Sequence, residues 1–369
     1  MSPKPSPWLA LSLLAAVALM ADARAFAANS APSIAAGGLV PRRDSRIAVA
    51  KEVVRISDRK VVVDYDLRND TDADITTDLG FPVPPYQNQW DAMDPATQAF
   101  RSLRIWADDK PVKYLSEAKA ELDGLDITKT LEKAHIDIAS FGHLDLGRNQ
   151  HTSTRPVFVE DYERLTQKEK HRLRSEGIFK GAEGYCLYTV HLLYYWPQTV
   201  PAHSTVHIRQ EYVPVVGFAQ APPQADALQA AMMPPARPAG AGPGAAPSDD
   251  KNPLGGFCAD SSLVHTMLQA QKAFSQSWGP GILPYWIDYD LLSANEWHKP
   301  IEDFTLIVDI PQPERGERTL VSFCSPGVVD RNDSDHPQVH LTKFVPAISL
   351  HIGFFNAPLE PSGAPVAAR

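Results

Sequence analysis

Between Arg59 and Pro84 the chain reads RKVVVDYDLRNDTDADITTDLGFPVP, and the alternation in its first half admits few folds. Val61, Val63, Tyr65 and Leu67 fall on one side of an extended chain, and Val62, Asp64, Asp66 and Arg68 on the other. A side-chain period of two, apolar on one side and mostly polar on the other, is a strand with a core face and a wet face. Asn69 to Asp74 then supplies a run of turn formers. Ile75 to Phe81 reads as the return strand of a hairpin, ended by prolines. This hairpin is the expected centre of one half of a β-sandwich.

Similar signals recur along the chain. Leu103, Ile105, Val112 and Tyr114 flank Asp108-Asp109-Lys110, a second hairpin pattern. Ile47 to Ile56, Tyr185 to Trp196 and Thr205 to Tyr212 read as strands, as do segments around Tyr285–Leu291, Phe304–Ile310, Leu320–Cys324 and Ile348–Phe354. Helix signals are fewer. Asp126 or Thr128 can cap a short helix, and Thr166 with Glu169 fits a capping box before a polar helix anchored by Leu173. Asp260 can cap a helix with the stripe Val264, Met267, Leu268 and Phe274. The expected class is mainly β: antiparallel, sandwich-like sheets in two halves with a few short helical insertions.

Residues 1–27 stand apart. Lys4 precedes the apolar run Trp8 to Met20, which is too short to span a bilayer, and Ala25-Phe26-Ala27 places small residues where a signal peptidase cuts. The expected mature chain starts at Ala28 and is periplasmic or secreted. No later stretch is apolar enough to cross a membrane as a helix. The formal charge of −9, without a basic stripe, argues against nucleic-acid partners. Ala219 to Ser248 is rich in Pro, Ala and Gly, a composition with little to bury. These features divide the chain into an N-terminal β-rich domain (28–218) with a helical insertion at about 115–180 and a linker or disordered loop (219–253). A C-terminal α+β or β-rich domain (254–357) and a disordered tail (358–369) complete it.

Several segments, taken in order, resemble the bacterial exported proteins grouped as domain of unknown function 4424. They are ANSAPSIAAGGL (Ala28 to Leu39), EVVRISDRKVVVDYDLRNDTDADI, LGFPVP, LDITKTL (Leu125 to Leu131) and the aromatic and proline segment Tyr195 to Gly217. Trp297 to Asp309, with W-x-x-P-I-x-D-F-x-L-x-V-D, and VSFCSPGV (Val321 to Val328) continue the likeness. The resemblance implies an exported protein and supplies no reaction, substrate, cofactor or catalytic residue.

The residues themselves offer little chemistry. Asp70, Asp72 and Asp74 have the spacing that opens a calcium loop, but Ile75 and Phe81 stand where Gly and Glu would be needed. A solvated turn is the better reading, and the same holds for Asp330, Asn332, Asp333 and Asp335. The twelve histidines show no H-E-x-x-H and no compact ligand set. Ser116 and Lys119 form an S-x-x-K without its companion elements, and G-x-S-x-G does not occur. No cofactor is expected.

Of three cysteines, Cys258 and Cys324 flank a helix start and a strand end, places where two Cβ atoms can approach. They are the expected disulfide, with Cys186 reduced; pairing of Cys186 with either one is the open alternative. Tyr194, Tyr195 and Trp196 are consecutive, so a strand cannot bury all three on one face, and Trp286 shares a strand face with Asp288 and Asp290. Tyr194, Trp196, Trp286, Asp288 and Asp290 are therefore the candidate ligand surface. The expected function is non-enzymatic, binding or structural, with an envelope protein or glycan as partner. The alternative is a periplasmic hydrolase assembled from scattered Asp, His and Ser residues.

Overall fold

The structure, a computed structural model, describes residues 30–31, 36–41, 46–87, 103–136, 138, 163–179, 188–214, 216–219, 222–223, 225–231, 254–277, 282–297, 299–312 and 317–358. It begins with the short strands β1 (Ser30–Ala31), β2 (Ala36–Gly37) and β3 (Val40–Pro41). Three longer ones follow, β4 (Ala48–Ile56), β5 (Val61–Asn69) and β6 (Ile75–Gln87). Next come β7 (Arg104–Ala107), β8 (Lys110–Pro111), β9 (Leu115–Leu122) and β10 (Leu125–Asp126), then helices α1 (Thr128–Lys133) and α2 (Gln167–Ser175). Strands β11 (Thr189–Val200), β12 (Ser204–Tyr212) and β13 (Val216–Ala219) lead to helices α3 (Ala225–Ala231) and α4 (Ser261–Ser277). The chain closes with β14 (Tyr285–Asp290), β15 (Ile301–Val308), β16 (Glu317–Phe323), β17 (Gln338–Phe344) and β18 (Leu350–Pro358).

The described strands make three sheets. One has the order β17-β15-β4-β5-β12-β7-β8, a second β10-β9-β11-β6-β3, and a third β1-β13-β14-β18-β16 with β2 beside β14. The fold is thus mainly β, as the alternation implies. Pairing is antiparallel except where β15 joins β4 and β2 joins β14. Strands from before and after residue 219 share both the first and the third sheet.

The expected hairpin at Arg59–Pro84 is a corner instead. β5 pairs with β4 and β12, whereas β6 belongs to the second sheet and pairs with β11 and β3. A matching corner carries β11 into β12, and the two run side by side: Val200 faces Ile75 before the bend and Ser204 faces Asn69 after it. Asn69 pins them. Its fully buried amide donates to Ala73 O at 2.8 Å and to Val200 O at 3.0 Å, while its Oδ1 accepts from the Thr71 amide at 2.9 Å. Asp74 accepts from the Ala202 amide at 2.9 Å, and Asp72 lies 2.8 Å from His203 Nε2. The D-x-D-x-D run braces a bend, and local turn chemistry looks the same for a corner as for a hairpin.

The second hairpin forms as expected, with Asp108 and Asp109 both at positive φ and Trp106 opposite Pro111. The Thr166–Glu169 capping box is present, and Leu173 anchors α2. The expected helical insertion at about 115–180 begins differently. Leu115–Leu122 is strand β9 on β11, and the helices start at Thr128.

One apolar core joins the three sheets, drawing on Val54, Val63, Leu79, Phe81, Trp196, Ile208, Ile287, Phe304 and Phe354 among others. A second, smaller core lies between the far side of the third sheet and helices α3 and α4, with Leu228, Phe257, Val264, Met267, Trp286 and Phe355. Gly353 lets this cap sit close: a Cβ there would lie 2.7 Å from the Phe257 ring and 2.9 Å from Phe355. The proline-rich stretch from Ala219 therefore includes some order, because α3 buries Leu228 (1% exposed) against α4. Its residues 232–250 lie outside the described residues. Asp260 accepts from the Leu263 amide at 2.8 Å and caps α4. The disulfide Cys258–Cys324 joins this cap to the end of β16. Cys186 lies outside the described residues.

Candidate functional site

The first sheet presents a wet face crossed by paired rows. In register, His340, Thr305, Val53, Asp64, Arg209, Trp106 and Pro111 run across all seven strands. A neighbouring row carries Gln338, Ile307, Arg55, Val62, Glu211 and Arg104. A third places Lys51, Asp66 and His207 side by side. Period-2 alternation puts these residues opposite the core-facing Val54, Val63 and Ile105.

The charges on this face interlock. Arg209 Nη1 donates to both oxygens of Asp64 at 3.2 and 3.3 Å. His207 sits between Asp66, 3.0 Å from Nδ1, and Asp64, 3.3 Å from Nε2. Burial opposes its charged form, but the two carboxylates outweigh burial and hold His207 above the ordinary imidazole value. Glu211 takes Lys60 at 2.5 Å and also Arg104. Partial burial pushes Glu211 up, and these cations overcome it and hold the carboxyl below its usual range. The Arg104 guanidinium lies 5.8 Å from the centre of the Trp106 ring, a cation–π arrangement at the sheet margin. Further along the face Arg68 bridges Glu302, at 2.7 Å for both guanidinium contacts, and Asp70 at 2.6 Å. The result is a broad surface of alternating donors and acceptors around one half-buried indole.

Beneath it, on the core side, lies a polar group that the apolar reading of Ile47–Ile56 hides. Glu52 is in phase with Val54 and Ile56, faces Tyr65 across β5 and Phe304 across β15, and is 2% exposed. Burial raises its pKa to about 8, while a hydrogen bond from the Tyr65 hydroxyl pulls the other way. That hydroxyl also accepts from the Leu39 amide at 3.1 Å and from Gln210 Nε2 at 3.3 Å. One donor and two acceptor positions are then filled. The Tyr289 hydroxyl approaches without reaching hydrogen-bond geometry. Burial pushes Tyr65, Tyr212 and Tyr289 all upward, so they stay neutral.

The backbone over this cluster is the short arm Ala36–Pro41. Its β2 pairs with β14 of the third sheet and its β3 with β6 of the second. Between them Leu39 reaches Tyr65 of the first sheet. Gly38 donates to Ser293 Oγ at 2.7 Å, and Trp297 Nε1 donates to Leu39 O at 2.7 Å. A Cβ on Gly38 would lie 3.2 Å from the Tyr65 hydroxyl, which accounts for a glycine at this close approach.

Residues 27–352 match the family described as Domain of unknown function (DUF4424). The chain belongs to this family. The Gly37-Gly38-Leu39 of this DUF4424 chain is the arm that touches three sheets, its Asn69–Asp74 run is the braced corner, and its Trp297 holds the arm carbonyl. No curated protein matches the chain. Among solved structures, a protein of Legionella pneumophila subsp. pneumophila str. Philadelphia 1 called a "putative nutrient binding protein" is 11% identical. The match covers 88% of this chain and 72% of that one with a TM-score of 0.39, too loose a likeness to argue from.

The five residues singled out as a candidate ligand surface lie on two different sheets of the DUF4424 chain, Tyr194 and Trp196 on the second and Trp286, Asp288 and Asp290 on the third. Tyr194 packs between Phe81 and Tyr114 on the second sheet, and Trp196, 1% exposed, points into the main core. Trp286, 8% exposed, lies on the third sheet under the α4 cap. Asp288 sits 2.5 Å from Nδ1 of His351, whose ring stacks on Phe257 at 4.1 Å. Asp290 accepts from the Leu292 amide and from Ser349, both at 2.9 Å. Sheet and helix packing consume the two tryptophans, and local bonds occupy the two acids. Trp106 shares the wet face with Arg104, and its strand of only four residues carries too short an alternation to mark it in the sequence.

Proposed function

We propose that this DUF4424 protein is a non-enzymatic, glycan-binding protein of the cell envelope, and that the wet face of its seven-stranded sheet is the binding surface. The observation that carries the reading is the Trp106 indole with Arg104 over it and the Arg209–Asp64 pair beside it in one row. A sugar ring offers an apolar face that stacks on indole and vicinal hydroxyls that pair with carboxylate and guanidinium groups. Export is part of the proposal. The order of charge, apolar run and small residues in 1–27 supports it, as does the Cys258–Cys324 disulfide, which suits an oxidising compartment. The deeply perturbed carboxyl of Glu52 does not favour a hydrolase, since it is closed off beneath the arm.

Titration calorimetry with soluble amino-sugar oligosaccharides tests the binding. The expected result is a saturable signal that Trp106→Ala weakens by about tenfold or more, a loss of at least roughly 1.4 kcal/mol, with the melting temperature of the variant close to that of the parent. Heat evolution that Trp106→Ala leaves unchanged, or no saturable signal from any oligosaccharide, removes this reading. N-terminal sequencing of the exported protein checks its other half: the expected first residue is Ala28, and an intact Met1 in the membrane fraction counts against it.

A further inference from the structure

The arm Ala36–Pro41 has few strand pairings. It contributes two paired residues to the third sheet and two to the second, whereas β4, β5 and β12 behind it are each nine residues long. It nonetheless covers the most polar point of the interior. Tyr65 and Tyr289 face Glu52 from β5 and β14, with Tyr212 of β12 beside both tyrosines, and among the described residues no lysine, arginine or histidine is among the groups that shift Glu52. Lys51, its chain neighbour, is exposed on the opposite side of β4. The arm itself brings only the backbone of Gly38 and Leu39, and the adjacent turn Leu292–Glu296 brings the Ser293 hydroxyl. Gln210 Oε1 has no hydrogen-bond partner among the described residues, although the side chain is fully buried.

We propose that the Glu52 proton locks the arm in place: while the carboxyl is neutral the Tyr65 hydroxyl holds the Leu39 amide and the three sheets stay joined, and when the carboxyl ionises the arm lifts to admit water. A buried carboxylate without a cation must be hydrated or neutralised. Three long, mutually paired strands wall the group on one side, and the two-residue pairings of the arm are the weakest cover on the other. Opening there withdraws one residue of the main core, Leu39, and leaves the pairing of those long strands intact. The neighbouring tyrosines keep their protons throughout, so Glu52 is the group in this cluster whose charge changes. The inference does not depend on what the outer face binds, and it assigns the Gly37-Gly38-Leu39 segment a conformational role.

Hydrogen exchange of the full-length mature protein at pH 6.5 and 9.5, corrected for the intrinsic pH dependence of exchange, reads the lock directly. In the parent, protection of the Leu39 amide should fall by about tenfold or more while amides of β4 and β5 keep theirs. In Glu52→Gln it should be the same at both pH values. Tyr65→Phe removes the acceptor of the Leu39 amide and should leave the arm weakly protected at either pH. The proposal is overturned if Glu52→Gln loses arm protection as the parent does. It is also overturned if the parent arm stays protected at pH 9.5, if β4 and β5 open together with it, or if Tyr65→Phe leaves Leu39 as protected as before. Should Glu52→Gln fail to fold, the parent profile and Tyr65→Phe decide the matter alone.

Discussion

A single acid on the core side of β4 contributes the largest part of the pH response expected of this molecule above pH 5.5. Glu52 in the unfolded chain releases its proton near the ordinary glutamate value, and in the fold it keeps it to about 8. Across that window the native state holds the extra proton, so stability falls as pH rises, by as much as a few kcal/mol once the folded group has ionised. His207, also held above its ordinary value, acts in the same direction and leaves a residual slope. Urea denaturation at pH 5.5 and pH 9 should show the parent losing stability and Glu52→Gln losing much less. A parent midpoint that rises with pH would contradict the account. The sequence contained this residue's signal, since Glu52 alternates in step with Val54 and Ile56. A register shift between Val49 and Lys51 breaks the phase upstream and disguises it as part of an apolar run.

At the scale of elements, the alternating segments were legible and their partners were not. β5, β6, β12, β14, β15 and β18 lie close to where periodicity places them, and the capping box and the second hairpin follow their local rules. Which strand pairs with which depends on residues far apart, so Asn69–Asp74 reads equally as a hairpin turn or as a corner between sheets. The difference rests on Asn69, whose amide reaches Val200 O in the second corner. Asn69→Ala should strip the buried Val200 carbonyl of its side-chain donor, while Ala73 O keeps the Thr71 hydroxyl, and cost about 1–3 kcal/mol. Asp72→Ala, at an exposed ion pair, should cost less than about 1 kcal/mol. Thermal unfolding of both variants checks the ranking, and equal losses would mean the corner is not pinned where the bonds suggest. The disulfide was legible because helix starts and strand ends are short-range features. The burial of Trp196 and Trp286 was not, because the elements that cover them are remote in sequence.

For the molecule as a whole, the part of the Pro/Ala/Gly-rich Ala219–Ser248 stretch that follows α3 is the expected site of proteolytic attack, on composition alone. A protease that cuts after small residues should nick there first. The two pieces should then stay together through size exclusion and separate only in denaturant, since β13 pairs with β14 and β4 with β15 across the cut. Pieces that part under native conditions would refute that expectation. The β4–β15 pairing also governs the order in which the protein can be made. Leu306 lies beside Val54, so one edge of β4 waits through most of synthesis for the strand that will cover it. Until then the nascent chain carries a nine-residue strand with an open row of backbone donors and acceptors, which is a template for joining other chains. A factor that shields that edge, or a cell that keeps the chain extended until its last third has emerged, would do more for the yield of this protein than any gain in the stability of the finished sheet.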